Sequence, residues 1–515
     1  MSAPKPRAPA PKLDDGPLEP RDAGVVTLEF SLPSGEARRL WRLPVMMAGR
    51  QGPMRRGSAD MLWQDTAEGL LAARGCLVET TRRDGQHVVS LAPTSDAAWH
   101  PGQILAPCGL WPAEARPEEA DEPLVGVAAL TGQRRHQRLA INGAVVELTL
   151  LTGHLSAIAA EAPISRLYLT GPLAGVLSLA RDMAGKLPLL PPTASLAEAA
   201  RCLAKGEQPP ARRSGAPDTA QAASVEASFT LALGHLLEVA LFQANLIRAD
   251  REAEGVHQMR VALRRLRSVL RVFRPLTDGP RARAFDAKLR EVLTLLGPAR
   301  DWDVFLEGVG ADMARLLPKD ARMMGLLRTA RAARDTAYEH LIKGLEGPSW
   351  RLCVLDGIAF LLERPWRQDA DPPIHAKLDD APHGFARQVL EKRWQGLLRA
   401  GADIAALAPE ALHELRLDAK KLRYAAEVLA PVFARKAARR FQRRLAALQQ
   451  ELGQANDAAV ASALAQSLKR GPDSGRAWAI GVIEGWCMAR FGADRERVAA
   501  AWESLIEKES FWSED

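Results

Sequence analysis

From about residue 220 onward, apolar side chains recur every three or four positions with charged residues between them, the period of amphipathic helices. The pattern predicts helices at 220–248, 255–274, 281–296, 301–308, 319–344, 349–362, 381–401, 408–429, 434–453, 457–469 and 474–488. Pro365, Pro372 and Pro373 mark a loop between two bundles. Before residue 205 the pattern differs. Short alternating runs at 25–32, 76–81, 87–91 and 144–151 read as strands of an antiparallel sheet, with helices at about 60–74 and 172–186. The expected fold class is therefore α+β and multidomain: an antiparallel β-rich domain at 24–205, then a linker at 206–219 with several prolines. An all-α domain follows at 220–495, with halves at about 220–365 and 376–495, and a C-terminal helical tail at 496–515. Residues 1–23, rich in Pro, Ala and charge, are expected to be disordered.

The helical half is written twice. His257-Gln-Met-Arg260-Val-Ala-Leu-Arg264-Arg265-Leu-Arg267 returns 156 residues later as His413-Glu-Leu-Arg416-Leu-Asp-Ala-Lys420-Lys421-Leu-Arg423. The same offset relates Pro275 to Pro431, Phe285 to Phe441, Leu296 to Leu452, Gly297 to Gly453 and Asp301 to Asp457. A period this long means two bundle-sized copies rather than a solenoid. On a helix, His257, Arg260, Arg264 and Arg267 share an arc of roughly 80°, and Leu263, Leu266, Leu270 and Phe273 lie on the other side. His413, Arg416, Lys420 and Arg423 repeat the arrangement. A solvated face needs polar residues, but not the same cation at the same place twice, so an anion is expected along both rows.

Charge sharpens this reading. The chain is +7 overall, yet residues 1–210 are balanced at 22 basic and 22 acidic side chains, so the surplus belongs to the helical half. There, 257–300 holds 11 basic against 3 acidic and 413–456 holds 10 against 4, while the rest is net acidic. Positive charge is thus focused on the repeated segments. Cys76, Cys108, Cys202, Cys353 and Cys487 are scattered without a CxxC pair, which suggests neither a disulfide framework nor a zinc site. No membrane span or secretory signal is read in the sequence, so the expected location is the cytoplasm.

The two histidine-headed basic helices, with Leu296-Gly-Pro-Ala-Arg-Asp301 and Leu452-Gly-Gln-Ala-Asn-Asp457 after them, resemble the CHAD family, the conserved-histidine α-helical domains. The resemblance covers about 225–493. It implies two four-helix bundles related by a pseudo-twofold axis, a basic surface that binds inorganic polyphosphate, and association with polyphosphate granules. The ligand-contacting residues it implies are His257, Arg260, Arg264, Arg265 and Arg267, then His413, Arg416, Lys420, Lys421 and Arg423. Copy two has Glu427 in place of Arg271 and Asn456 in place of Arg300, which implies weaker binding there.

Residues 24–205 are similar in outline to a CYTH domain, the triphosphate tunnel fold, whose hallmark is a Glu-x-Glu-x-Lys strand. Here the strand reads Thr27-Leu-Glu29-Phe-Ser31, Leu151 stands where an acid is usual, the paired-acid strand reads Ser165-Arg-Leu167, and the usual Ser-Lys reads Ser195-Leu196. A hard cation needs several oxygen ligands, so this domain is expected to be a degenerate copy, a pseudoenzyme with no catalytic residues. No metal or other cofactor is expected. The alternative is a metal-dependent inorganic triphosphatase whose helical half collects substrate, which would require a divalent metal. Arg134, His136 and Arg138 alternate on one strand face, read as a solvated face rather than a tunnel wall. The expected partner is polyphosphate or another linear polyanion; scarce aromatics on the basic faces and the lack of a helix-turn-helix or zinc motif argue against nucleic acid.

Overall fold

The computed structural model describes residues 24–83, 86–94, 109–110, 123–368, 371–404, 406–469, 473–491, 495–507 and 510–513. The expected disorder of 1–23 lies outside the described residues, as does Cys108. The chain divides into two compact units, Met1–Arg213 with Gly347–Ala359, and Ser214–Glu346 with Phe360–Asp515.

The first unit is an antiparallel half-barrel of nine strands: β1 Val25–Ser31, β2 Arg50–Ser58, β3 Met61–Thr66, β4 Cys76–Arg83, β5 Gln86–Pro93, β6 Gly109–Leu110, β7 Leu124–Ile141, β8 Ala144–Ser156 and β9 Glu161–Pro172. Their order is β1-β9-β8-β7-β3-β4-β5-β6, with β2 pairing β7. The long β7–β8 hairpin turns at Asn142 (φ 50°) and Gly143 (φ 81°), two residues that tolerate the left-handed backbone a two-residue hairpin turn requires. Gly132 and Gly153 face each other across it, where a Cβ on either would stand 2.3 Å from a carbonyl oxygen of the partner strand. The helix expected at 60–74 is a strand in its first half. Met61–Thr66 pairs on both edges, with β4 and β7, and fully buries Trp63. That pairing overrides the local helical pattern, and only Leu70–Ala73 is helical.

Besides helices of four or five residues, this unit contains α1 Leu173–Lys186 and α2 Leu196–Lys205. Helix α1 packs on β1, β8 and β9, burying Val176, Leu179, Ala180 and Met183. Helix α2 covers the opposite face, its Ala197 and Ala200 joining Trp63, Leu77, Leu130, Leu151 and Leu155 in one cluster. Ser195 caps it by accepting from the Glu198 amide at 3.1 Å, and Gly206 at φ 67° ends it.

The second unit contains α3 Val225–Asp250, α4 Ala253–Val272, α5 Pro280–Phe305, α6 Ala321–Glu346, α8 Pro382–Ala400, α9 Pro409–Leu429, α10 Arg435–Glu451, α11 Gln454–Ser467, α12 Ser474–Phe491 and α13 Arg495–Ile506, while α7, Pro348–Glu363, carries the segment Gly347–Ala359 assigned to the first unit. Prolines open α5, α8 and α9, where the missing amide would have no partner anyway. The proline loop expected near 365–373 instead holds two short helices, Pro365–Gln368 and Pro372–Asp379, each starting at a proline for the same reason. The predicted break at Gly297-Pro298 also fails: α5 runs through it from Pro280 to Phe305, and the separate helix at 301–308 does not exist. By length and composition α3 is apolar enough to cross a membrane, but its apolar side chains lie in the core of this unit. The equivalent helices of the two copies, α4 and α9, pack against each other. The copies also share a core in which Trp302, Phe305, Leu326 and Leu327 meet Ala461, Ala465, Ile480 and Ile483.

Candidate functional site

Helix α4 buries Val256, Met259, Leu263, Leu266 and Val269 and turns its basic row away from them. At the head of that row His257 is half-buried, and burial and the neighbouring Arg300 push its imidazole below the ordinary 6.5. Arg260 reaches α5, where its Nη1 donates to the Leu293 carbonyl at 3.3 Å. Burial and like charge from Arg264 and Arg300 lower its guanidinium to about 10. Arg264 is exposed and has no ion pair among the described residues. Asp301, on α5, faces Arg260, Arg264 and Arg300, yet its carboxyl is raised above 3.8 because burial outweighs the three cations. Three guanidinium groups thus converge on the half-buried Asp301 carboxylate, and the one other acid paired with them among the described residues is the exposed Glu307, 3.9 Å from Arg300.

The glycine of each Leu-Gly segment makes this arrangement possible. A Cβ on Gly297 would stand 3.7 Å from Arg260 Nη1, and one on Gly453 would stand 3.8 Å from Arg416 Nη2. In both copies the first arginine of the row therefore lies over the glycine 37 residues later in the sequence.

The remaining predicted residues are divided differently. Arg267 is bound by both oxygens of Asp286, at 2.6 and 3.0 Å, and Asp286 also accepts from Arg290 at 3.3 Å. Arg265 pairs with Glu427 at 2.6 Å, and Arg423 pairs with the same carboxylate at 2.9 Å while donating to Gln449 at 2.9 Å. Glu427 therefore neutralises a cation from each copy, whereas its sequence position suggests an effect on copy two alone. In copy two Arg416 is buried, His413 is exposed, Lys420 is half-buried, and Lys421 pairs with Asp418 at 2.7 Å. The side chain of Asn456 lies outside the described residues. The structure thus gathers His257, Arg260 and Arg264 into one cationic group and ties Arg265, Arg267, Lys421 and Arg423 to acids.

Sequence reasoning missed three contributors. Arg300 enters only as a difference between copies, although it lies beside His257, Arg260 and Asp301. Tyr424, on α9, acts electrostatically on both Arg260 and Arg271. Arg393, on α8, lies beside Arg271.

The first unit has its own charged cluster, on the sheet face covered by α2. Pairing register aligns Glu29, Tyr168, Thr149 and His136 across β1, β9, β8 and β7. Glu29 is buried, 3.4 Å from Arg166 Nε and 3.4 Å from the Tyr168 hydroxyl, and burial raises its carboxyl despite Arg166 and Arg212. Leu151 is packed into the apolar cluster, and Ser195 is the cap of α2. On β7, His136 Nδ1 lies 3.1 Å from Thr149 Oγ1, and Arg138 lies 3.8 Å from Glu147 with both side chains about half exposed. No group of three or more His, Cys, Asp or Glu side chains among the described residues can hold a metal ion. A divalent cation does not fit beside Glu29, because a guanidinium already stands there.

A family model described as the CHAD domain matches residues 231–466. These residues are a CHAD domain. The CHAD domain contains every residue of the cationic group described above, and the antiparallel half-barrel that precedes it is consistent with a CYTH-like domain. Three similar solved structures are the CHAD domain from the plant Ricinus communis (27% identity, TM-score 0.49, covering 57% of this chain and 96% of that one), PptA from Streptomyces chartreusis (19%, 0.39, 57% and 99%), and a Hippeastrum protein whose description reports a dominant triphosphatase activity (14%, 0.25, 36% and 98%). No curated protein matches.

Proposed function

We propose that the CHAD domain binds inorganic polyphosphate, with His257, Arg260, Arg264 and Arg300 as its principal contacts. The observation that carries this reading is the grouping of Arg260, Arg264 and Arg300 around the half-buried Asp301 carboxylate, with the exposed Glu307 3.9 Å from Arg300, which leaves three cations and His257 against two acids. Bringing like charges together out of water is unfavourable unless an anion completes the site. Guanidinium groups match phosphate oxygens with paired donors, and a linear polyanion adds contacts along its length. Neutral His257 donates one N–H, and a bound anion favours its protonated form.

Calorimetric titration of polyphosphate into the full chain tests this. Replacing Arg260 and Arg264 together by Gln is expected to weaken binding about tenfold or more, since charge-assisted contacts contribute roughly 1.5–3 kcal/mol each when desolvated and less in an open site. Unchanged affinity would reject the reading. In cells, a fluorescent fusion is expected to follow polyphosphate granules and to disperse when both arginines are replaced.

For the first unit we infer a domain that does not hydrolyse triphosphate. What supports this is the Glu29–Arg166 pair and the apolar cluster around Leu151, which stand where that chemistry would need several oxygen ligands. Phosphate release from tripolyphosphate with Mg²⁺ or Mn²⁺, abolished by Glu29→Ala, would overturn it.

A further inference from the structure

The basic row of α4 does not stop at Arg264. Arg271 lies eleven residues beyond Arg260, three turns along, on nearly the same azimuth and about 16 Å away by helical rise. Between them Arg267 is held by Asp286, so it is withdrawn from any ligand. Arg271 forms no ion pair among the described residues; its neighbours are Arg267, Asp286 and Arg290, and Asp286 is already bound by both of those arginines. Facing it is Arg393, which α8 presents and α9 anchors: its Nη1 donates to the Lys421 carbonyl at 2.8 Å, one turn before Tyr424. That bond uses one of five donors and leaves the rest of the guanidinium directed at no acid among the described residues. Burial and Arg271 hold it down at about 10. Tyr424 connects the two ends, because it is the neighbour that Arg260 and Arg271 share.

Helix α4 and the distant pair α8 and α9 thus bring together two arginines whose neighbouring carboxylate, Asp286, is already taken by Arg267 and Arg290. A surface arginine of no consequence would turn outward into water, as Arg290 does with 65% of its side chain exposed. Arg393 is instead half-buried and tied by the hydrogen bond it donates to a carbonyl of a different helix.

We propose that Arg271 and Arg393 form a second phosphate subsite, linked past the Tyr424 hydroxyl to the one at Arg260, Arg264 and Arg300. A polyphosphate long enough to span both subsites is then held better than a short one. This inference rests on the proposed function and adds the basis of its length selection. It also sets the path of the ligand along α4 and across to α8, rather than along the row of α9, whose Arg423 is held by Glu427.

Titration of tripolyphosphate and of long-chain polyphosphate into the full chain and its variants tests this. Arg271→Gln with Arg393→Gln is expected to weaken the long chain about tenfold or more and to leave tripolyphosphate within about twofold. Arg260→Gln with Arg264→Gln is expected to weaken both. Tyr424→Phe, which keeps the ring packing, is expected to weaken only the long chain, and it serves should the double variant fold poorly. Equal losses for both ligands, or no loss for the long chain, would overturn the second subsite while the proposed function stands. No binding of either ligand by the unaltered protein would reject both together.

Discussion

Asp301 shows how a single side chain can tune the cationic group. Its carboxyl is raised above 3.8, so the folded protein takes up this proton at a higher pH than the unfolded chain does. Stability linked to this group therefore increases as pH falls through the elevated value, and the ionised form is a burden at neutral pH. Asp301→Asn is expected to raise the melting temperature by a few degrees at pH 7 and to leave it unchanged below the elevated value, as thermal melts over a pH series would show. The same substitution removes the negative charge facing Arg260, Arg264 and Arg300. Phosphate affinity at pH 7 is expected to rise on the order of threefold to tenfold, and its dependence on acidification to flatten. His257 acts in the same direction: its imidazole is held below 6.5, and an anion draws a proton onto it. The residues of this group that stand on α4 were legible in the sequence, because helical periodicity alone aligns them. Arg393 was not, since nothing in the repeat points to α8. The loss of Arg267 to Asp286 was equally hidden, because it depends on how α5 packs against α4.

At the scale of elements, Glu427 links α4 to α9, bonded to Arg265 and Arg423 with 11% of its side chain exposed. Glu427→Gln leaves two cations without a counter-charge. A loss of roughly 3 kcal/mol in chemical denaturation is expected, together with tighter polyphosphate binding, because both arginines become available. Added polyphosphate should then raise the variant's melting temperature more than the parent's. In the other unit, Gly153→Ala puts a methyl group 2.3 Å from the Thr131 carbonyl in the β7–β8 ladder. The strands must separate locally, at a cost of about 1–3 kcal/mol or more, measurable by urea unfolding. The sequence showed β8 through its alternation but hid β2 and β3. Trp63 is in a strand because two neighbours pair with its backbone, and that information lies sixty residues away in β7. Helix α5 was misread for a related reason: Gly297-Pro298 reads as a break, but the flanking turns are held by Leu296 and Ala299 in the core.

For the whole molecule, the uneven charge makes binding a matter of released counterions. Log affinity for long-chain polyphosphate is expected to fall linearly with log salt, by analogy with other polyanions. Replacing Arg260 and Arg264 by Gln should reduce that slope by about two, as titrations at several salt concentrations would show. The chain's path has a consequence of another kind. The first unit includes Gly347–Ala359, where Arg351 Nε donates to the Ala184 carbonyl at 2.7 Å and Asp356 pairs with Arg181 at 2.9 Å. During synthesis those two groups on α1 are made long before their partners. At about 5–20 residues per second, the half-barrel waits on the order of ten seconds, while most of copy one is translated, before the thirteen residues it lacks emerge. A ribosome-bound chain stopped at Arg213 is therefore expected to hold a half-barrel that proteases cut readily, and one extended well beyond Ala359 to resist them. The first unit is finished only at Ala359, after most of the copy that interrupts it has been made, and a chain truncated in the linker yields a domain that has lost its last piece rather than one that has been set free.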